Sequence, residues 1–202
     1  LTAAEIIQVE NYLKNKYGTG SSAPFTALPA VQTSSNSLFD DGFWKHSYNS
    51  SDNSRLIASV KDYCFDLGAR SDVVYEDATA GLYNGQRYMR RHDVIKRALN
   101  PVSPKRVRLY YTNADFADLQ SYIPSLTSAS QLVVTKYTGT NEDGVYDPSG
   151  GTVLLIPSSQ ISTGSLYGSN YLEFNVTGFS EFWIHTGNYV LPLTFISFSA
   201  YT

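Results

Sequence analysis

The chain has 202 residues, of which 42% are hydrophobic and only 16% charged, and its formal net charge is −3. This length suits one large β domain or a domain with attached pieces, and the low charge predicts a surface rich in neutral polar groups. Basic residues run no further than pairs such as Arg90–Arg91, which argues against a nucleic-acid partner, and no apolar run reaches the roughly 18 residues that span a membrane.

The first part of the chain predicts a helix followed by a linker. Residues 3–17 carry apolar side chains at helical spacing from Ile6 to Leu13, and Gly18 ends the pattern. Gly, Ser, Pro and Thr then dominate without a sustained period. We therefore divide the chain into a helix at 1–18, a linker at 19–37, a β module at 38–187 and an apolar linker or start of a further domain at 188–202.

Short strand-like segments separated by turn signals fill the middle of the chain. The clearest alternation places Val107, Leu109 and Tyr111 on one face and Arg106, Arg108 and Tyr110 on the other. A short helical turn is predicted at 113–122, with Asn113 as its cap. The other strand candidates are Arg55 to Lys61, Asp72 to Glu76, Gln86 to Ala98, Gln131 to Tyr137 and Thr152 to Pro157.

The segment Tyr171 to His185 alternates most regularly. Its even positions predict a core face and its odd positions, which include Glu181, Trp183 and His185, predict a solvent face. Gly178 and Ser180 interrupt the pattern, so we interpret it as two strands joined by a corner that carries the chain between two sheets. The predicted fold is all-β, an antiparallel immunoglobulin-like sandwich with one N-terminal helix and the helical turn near 113–122.

Five separated stretches resemble segments of one kind of bacterial protein, in the right order. The run LTAAEIIQVENYLKNKYG resembles the closing helix of concanavalin-like (laminin-G-like) lectin domains in large surface proteins of bacteria that use type IX secretion. The runs from NGQRYMRRHDVIKRALNPVSPKRVRLYYTNADFADLQ through LVVTKYTGTNEDG to YLEFNVTGFSEFWIH resemble an uncharacterised β-sandwich module of those proteins. The tail LPLTFISFSA resembles the segment before their fibronectin-like and C-terminal sorting regions. The resemblance implies a secreted or cell-surface location and neighbouring domains of the same polypeptide as partners.

Motifs that would carry catalysis are absent from the sequence. It has no GxSxG, no GxGxxG and no Walker-type loop, and its three histidines are not at metal-ligand spacing. Carboxylates are scattered, and sequence alone does not pair two of them for glycoside hydrolysis. We therefore expect no enzyme and no cofactor.

One acidic loop has oxygen ligands that would suit calcium. Asn141, Asp143 and Asp147 lie beside Gly144. Their order does not match an EF-hand, and a hairpin loop that turns at Asp143–Gly144 is the favoured alternative. We expect no calcium binding of useful affinity.

The basic segment 86–98 and the aromatic residues supply the candidate ligand contacts. Charges on both faces of this segment predict an edge strand, with an inward pairing of Arg91 to a carboxylate as the alternative. Trp44 and Trp183 are the best candidates for exposed aromatic platforms, and the 138–150 loop adds Tyr146. The favoured function is a non-catalytic accessory module that spaces or presents other domains. A carbohydrate-binding module is the alternative, and a glycoside hydrolase is a weaker one.

Overall fold

The computed structural model describes residues 31–33, 39–40, 44–48, 56–61, 70–99, 101, 103–145 and 151–187. Thirteen strands and one α-helix are assigned within these residues. Two short 3-10 turns cover Ala129–Gln131 and Ser158–Gln160. The elements are β1 Val31–Thr33, β2 Phe39–Asp40, β3 Trp44–Tyr48, β4 Leu56–Lys61, β5 Arg70–Glu76, β6 Gly81–Tyr83, β7 Gln86–Arg97, β8 Lys105–Tyr111, α1 Asn113–Tyr122, β9 Val133–Thr138, β10 Thr152–Ile156, β11 Ser162–Leu166, β12 Ser169–Val176 and β13 Glu181–His185.

The strands form two antiparallel sheets. The seven-stranded sheet has the order β1-β5-β7-β13-β9-β10, with β6 also paired to β7, and the six-stranded sheet has the order β11-β12-β8-β4-β3-β2. One apolar core contains side chains from both sheets, including Leu109 and Phe174 from the six-stranded sheet and Val134 and Phe182 from the seven-stranded sheet. The sheets therefore pack face to face as a β-sandwich. No helix among the described residues has the length and hydropathy needed to cross a membrane.

The corner predicted after Val176 is confirmed. β12 belongs to the six-stranded sheet and β13 to the seven-stranded sheet, so the chain changes sheets between 177 and 180. Leu172, Phe174, Phe182 and Ile184 are all buried in the shared core, as their alternation predicts. Side chains of β12 and β13 meet in this core because the chain crosses from one sheet to the other between the two strands.

Three sequence predictions need correction. Val31–Thr33, assigned to the linker, pairs with β5 as an edge strand. β7 is not an edge strand, since it pairs with β5 on one side and with β13 on the other. The cap of α1 is Thr112 rather than Asn113, because Thr112 and Asp115 form a reciprocal capping box. The predicted helix at 3–17, most of the linker and the tail at 188–202 lie outside the described residues.

The outer face of β13, in the seven-stranded sheet, is also covered, which the alternation of this strand did not predict. All five residues of β13 are buried, among them Glu181, Trp183 and His185. The strand lies in the middle of the sheet between β7 and β9, so rings on the neighbouring strands extend over its outer face. A period of two identifies the core face of a strand but does not reveal that a second layer covers the other face.

Candidate ligand-binding face

The outer face of the six-stranded sheet brings together aromatic and charged side chains from β3, β8 and β12. In β8, Arg106, Arg108 and Tyr110 alternate with the core residues Val107 and Leu109. Cross-strand pairing then sets Arg108 opposite Glu173 and Tyr110 opposite Tyr171. On the other side, β4 pairs with both β8 and β3, which carries Trp44 to the same face.

The central feature of this face is a stack of one guanidinium between two rings. The Cζ of Arg108 lies 3.9 Å from the ring centroid of Trp44 and 4.4 Å from that of Tyr171. Its Nε donates a hydrogen bond to Glu173 Oε2 at 2.8 Å. We call Trp44, Arg108, Tyr171 and Glu173 the arginine–aromatic ladder. Each cation–π contact of this kind contributes about 0.5–2 kcal/mol, depending on its exposure.

Buried side chains on the same sheet face lie beside the ladder and support it. Tyr110 is fully buried, with its hydroxyl 2.7 Å from Ser59 Oγ, which in turn lies 2.8 Å from His46 Nδ1. The ring of Tyr110 meets that of Tyr171 edge to face at 6.1 Å. These contacts fix the rings, while Trp44, Arg108 and Tyr171 themselves remain partly exposed. A partly exposed, pre-organised aromatic surface loses little entropy when a ligand stacks on it.

Glycine at 164 allows the ring of Tyr171 to lie flat on the neighbouring strand. Gly164 is the cross-strand partner of Tyr171, and a Cβ at position 164 would run into the tyrosine ring. An aromatic ring covering a glycine on the adjacent strand is a known device for fixing a sheet edge. Gly164 is thus required for the position of Tyr171 and belongs to the candidate face.

Trp183, the second predicted aromatic platform, is not exposed. Its exposed fraction is 1%, and its indole lies 3.9 Å from the imidazole of His92, nearly parallel to it. Tyr75 stacks on the other side of His92 at 5.4 Å, and Tyr88 meets Trp183 edge-on at 4.8 Å. We call Tyr75, His92, Trp183 and Tyr88 the histidine–aromatic stack. It covers the outer face of β13, so the prediction of an exposed Trp183 is wrong.

Arg91 lies in the interior rather than at a ligand surface. It is fully buried and its Nη2 donates to the Leu56 carbonyl oxygen at 3.2 Å. Burial raises the pKa of Asp93 to about 7, and the charge of Arg91 opposes that rise. Neither oxygen of Asp93 accepts a hydrogen bond from any described residue. The burial of Arg91 agrees with the inward alternative, but the bond described is to a backbone carbonyl oxygen and not to the carboxylate that was predicted. The edge-strand interpretation is wrong.

The acidic loop after β9 packs against the histidine–aromatic stack. Gly144 has a φ of +87° and lies so close to Tyr75 that a Cβ there would come within 2.5 Å of its ring. Asp143 Oδ1 accepts a hydrogen bond from the Val145 amide at 2.9 Å, which closes a local turn. Burial, followed by the charges of Asp143 and Glu181, raises the pKa of Tyr75.

Only part of this loop's calcium and ligand candidates falls within the described residues. Asn141 and Asp143 are on the described part of the loop, whereas Tyr146 and Asp147 lie outside the described residues. No group of three or more His, Cys, Asp or Glu side chains in the described ranges is arranged to hold a metal ion.

Of the three predicted ligand contacts that the structure describes, Trp44, Trp183 and Arg91, Trp44 alone lies on the candidate face. Arg108, Tyr171 and Glu173 were not singled out, although the alternation of β8 and β12 placed them on polar faces. What the sequence lacks is the pairing of β8 with β4 and β12, which brings Trp44 and Tyr171 to the two sides of Arg108. Comparisons of the chain with protein-family models, with curated proteins and with solved structures found no match.

Proposed function

We propose that this chain is a non-catalytic accessory module of an exported, multidomain cell-surface protein, and that it binds glycans through the arginine–aromatic ladder. The observation that carries the binding role is the pair of partly exposed rings, Trp44 and Tyr171, held on one flat sheet face by Arg108. Aromatic rings offer an apolar face to the C–H groups of a sugar, and the guanidinium offers donors to its oxygens. The location rests on the resemblance given above, and the immunoglobulin-like relationship rests on the strand pattern of the sequence.

Several acidic residues have structural partners, which supports a non-catalytic role. Glu173 is bound by two arginines, Asp72 by Arg97, and Asp115 by Arg90 and the first turn of α1. A glycoside hydrolase needs a carboxylic acid and a carboxylate facing each other across a sugar. Acids that neutralise arginines and cap a helix are poorly suited to this work. Absence of hydrolysis products after long incubation with a bound glycan is the result expected.

A glycan array tests the binding role. We expect the wild-type chain to bind a defined set of glycans and Trp44→Ala to bind the same set at least about tenfold more weakly, a loss of about 1.4 kcal/mol. Tyr122→Ala is the matched control, because it removes a ring that is 42% exposed on α1, away from the ladder. Circular dichroism establishes that both variants are folded. Wild-type protein that binds no glycan, or equal binding by Trp44→Ala, would overturn the proposal.

Spacing or presenting neighbouring domains is the other part of the accessory role. It is supported by β13, which is buried on both faces by the shared core and the histidine–aromatic stack. A spacer must stay folded without its neighbours. A central strand that is covered on both faces supports such stability. A single cooperative thermal transition of the isolated chain is expected. Unfolding of the isolated chain at ambient temperature would contradict this role.

A further inference from the structure

The one carboxylate of the ladder, Glu173, is shared by two guanidinium groups, those of Arg108 in the ladder and of Arg106 beside it. Arg106 Nη1 donates to Glu173 Oε1 at 3.0 Å and Arg108 Nε donates to Glu173 Oε2 at 2.8 Å. The side chain of Arg106 is 50% exposed, and those of Arg108 and Glu173 are 17% and 11% exposed. Glu173 therefore fixes both arginines but neutralises only one of them, and a net positive charge remains at the surface.

The cross-strand neighbours of these residues do not cancel that charge. Ser59 lies opposite Arg108 and Lys61 opposite Arg106 on β4, while Asn175 and Ser162 lie opposite Arg106 and Glu173 on the other side. These neighbours are neutral or positive. Lys61 Nζ also lies 5.8 Å from the ring centroid of Trp44. The chain as a whole is negative, with a net charge of −3, so the positive charge of the two arginines is local.

We infer that the glycans bound by the ladder are acidic. A carboxylate on a sugar would take the donors of Arg106 and Arg108 that Glu173 leaves unused, while the sugar ring lies against Trp44 or Tyr171. Guanidinium groups match carboxylates in geometry and stay charged at every relevant pH. Rings beside the arginines favour a sugar over an acidic peptide, because a sugar presents both a carboxylate and a flat C–H face. This inference rests on the proposed glycan binding.

A panel of uronic-acid and sialic-acid oligosaccharides, each paired with its carboxyl-reduced form, tests the inference. We expect the acidic member of each bound pair to bind at least about fivefold more tightly than its reduced form. The preference should shrink as salt rises from about 0.05 to 0.5 M, because the arginines are partly exposed and their field is screened. Titration calorimetry gives both affinities for the strongest pair.

Charge variants sharpen the test. Arg106→Gln should lower affinity for the acidic glycan about threefold or more. Glu173→Gln should raise it, because the same side-chain shape then leaves both guanidinium charges uncompensated. Lys96→Gln is the matched control: it removes one positive charge from an exposed position on the opposite sheet and should leave the acidic preference unchanged.

The outcomes separate the two proposals. Equal binding of the acidic and reduced forms would overturn the acidic specificity and leave glycan binding standing. Binding of neither form by the wild-type chain would overturn both. Polyglutamate that binds as tightly as the acidic glycan would overturn the assignment to sugars, and Glu173→Gln without any gain would overturn the role given to its charge.

Discussion

Gly144 donates its amide hydrogen to Glu181 Oε1 across 3.0 Å, and this bond connects the loop after β9 to the central strand β13. Glu181 is 1% exposed, although its place in the alternation predicted a solvent-facing side chain. The loop, the ring of Tyr75 and β13 thus pack together on the outside of the seven-stranded sheet.

Removing the Glu181 side chain should therefore destabilise the fold. Glu181→Ala breaks the bond to Gly144 and leaves the half-buried amide of Gly144 unsatisfied, so a loss of about 1–3 kcal/mol in the free energy of unfolding is expected. Asn175→Ala, at an exposed position of β12, is the control and should change stability by less than about 0.5 kcal/mol. Urea denaturation measures both, and equal small losses would show that the loop contributes nothing.

Trp183 and Phe182 should be equally costly to truncate, because they fill two different layers. Phe182 lies in the core between the sheets and Trp183 in the histidine–aromatic stack. Each change to Ala is expected to cost about 3–5 kcal/mol. Leu154→Ala, whose side chain is 53% exposed, should cost far less. A small loss at Trp183 alone would mean that the histidine–aromatic stack contributes little to the free energy of unfolding.

Asp93 should make the protein less stable as pH rises. Its pKa is about 7 in the fold, well above its usual 3.8, because it is buried. Between about pH 4 and 7 the unfolded chain loses this proton while the folded chain keeps it, so stability falls with rising pH by up to about 4 kcal/mol. Asp93→Asn removes that fall. Its stability relative to wild type should therefore increase from pH 4 to 7 and then level off. A constant difference in chemical denaturation across this range would contradict the prediction.

His185 should have the opposite effect. Its Nδ1 accepts from the Gly187 amide, so the neutral ring carries its proton on Nε2 and donates it to Thr135 Oγ1 at 2.8 Å. Burial lowers the pKa of His185 to about 4. The stabilising neutral form is complete above about pH 6.5 and is lost as pH falls towards 4, at a cost of up to about 3 kcal/mol.

His185→Gln should abolish this acid-side loss, so its stability relative to wild type should rise as pH falls from 6.5 to 4. In the wild-type protein the contributions of Asp93 and His185 run in opposite directions over that window and partly cancel. Comparison of the two single variants with the double variant at several pH values separates them. Parallel pH profiles for wild type and His185→Gln would contradict the assigned tautomer and burial.

Gly164→Ala should displace the ring of Tyr171 and weaken glycan binding without changing the chemistry of the ladder. The added methyl group would occupy space that the tyrosine ring fills, and a shift of the ring loosens its contact with Arg108. A loss of affinity of about three- to tenfold is expected, with a small change in stability. Ser165→Ala, at an exposed neighbouring position, is the control. Unchanged affinity of Gly164→Ala would remove Tyr171 from the binding surface.

The sequence predicted the core-facing sides of the strands better than their outward-facing sides. Alternation identified the core faces of β8, β12 and β13, because apolar side chains that recur with a period of two lie on one face of a strand and are buried together. It failed at Glu181, Trp183 and Arg91, since their burial depends on strands far away in the sequence. Charges on both faces of β7 suggested an edge, yet the sandwich accommodates them through partners such as Asp115 for Arg90.

The candidate face was predictable only in pieces. Trp44 was identified as an isolated aromatic residue, and Arg106, Arg108 and Tyr110 were identified as the polar side of β8. Their meeting requires the strand order of the six-stranded sheet, in which β4 separates β3 from β8. Strand order is a tertiary property, so no local pattern in the chain contains it.

The two tryptophans of the chain lie on opposite sheets, which provides one optical reporter for each layer. Trp183 is buried and stacked on His92, so its fluorescence should have a short emission wavelength and resist quenching by acrylamide. The fluorescence of the partly exposed Trp44 should be quenched readily. Single-tryptophan variants, Trp44→Phe and Trp183→Phe, would then follow the seven-stranded and six-stranded sheets separately during unfolding. Coincident unfolding curves from the two variants would mean that the corner after β12 couples the sheets into one cooperative unit. Separated curves would show that one sheet unfolds before the other.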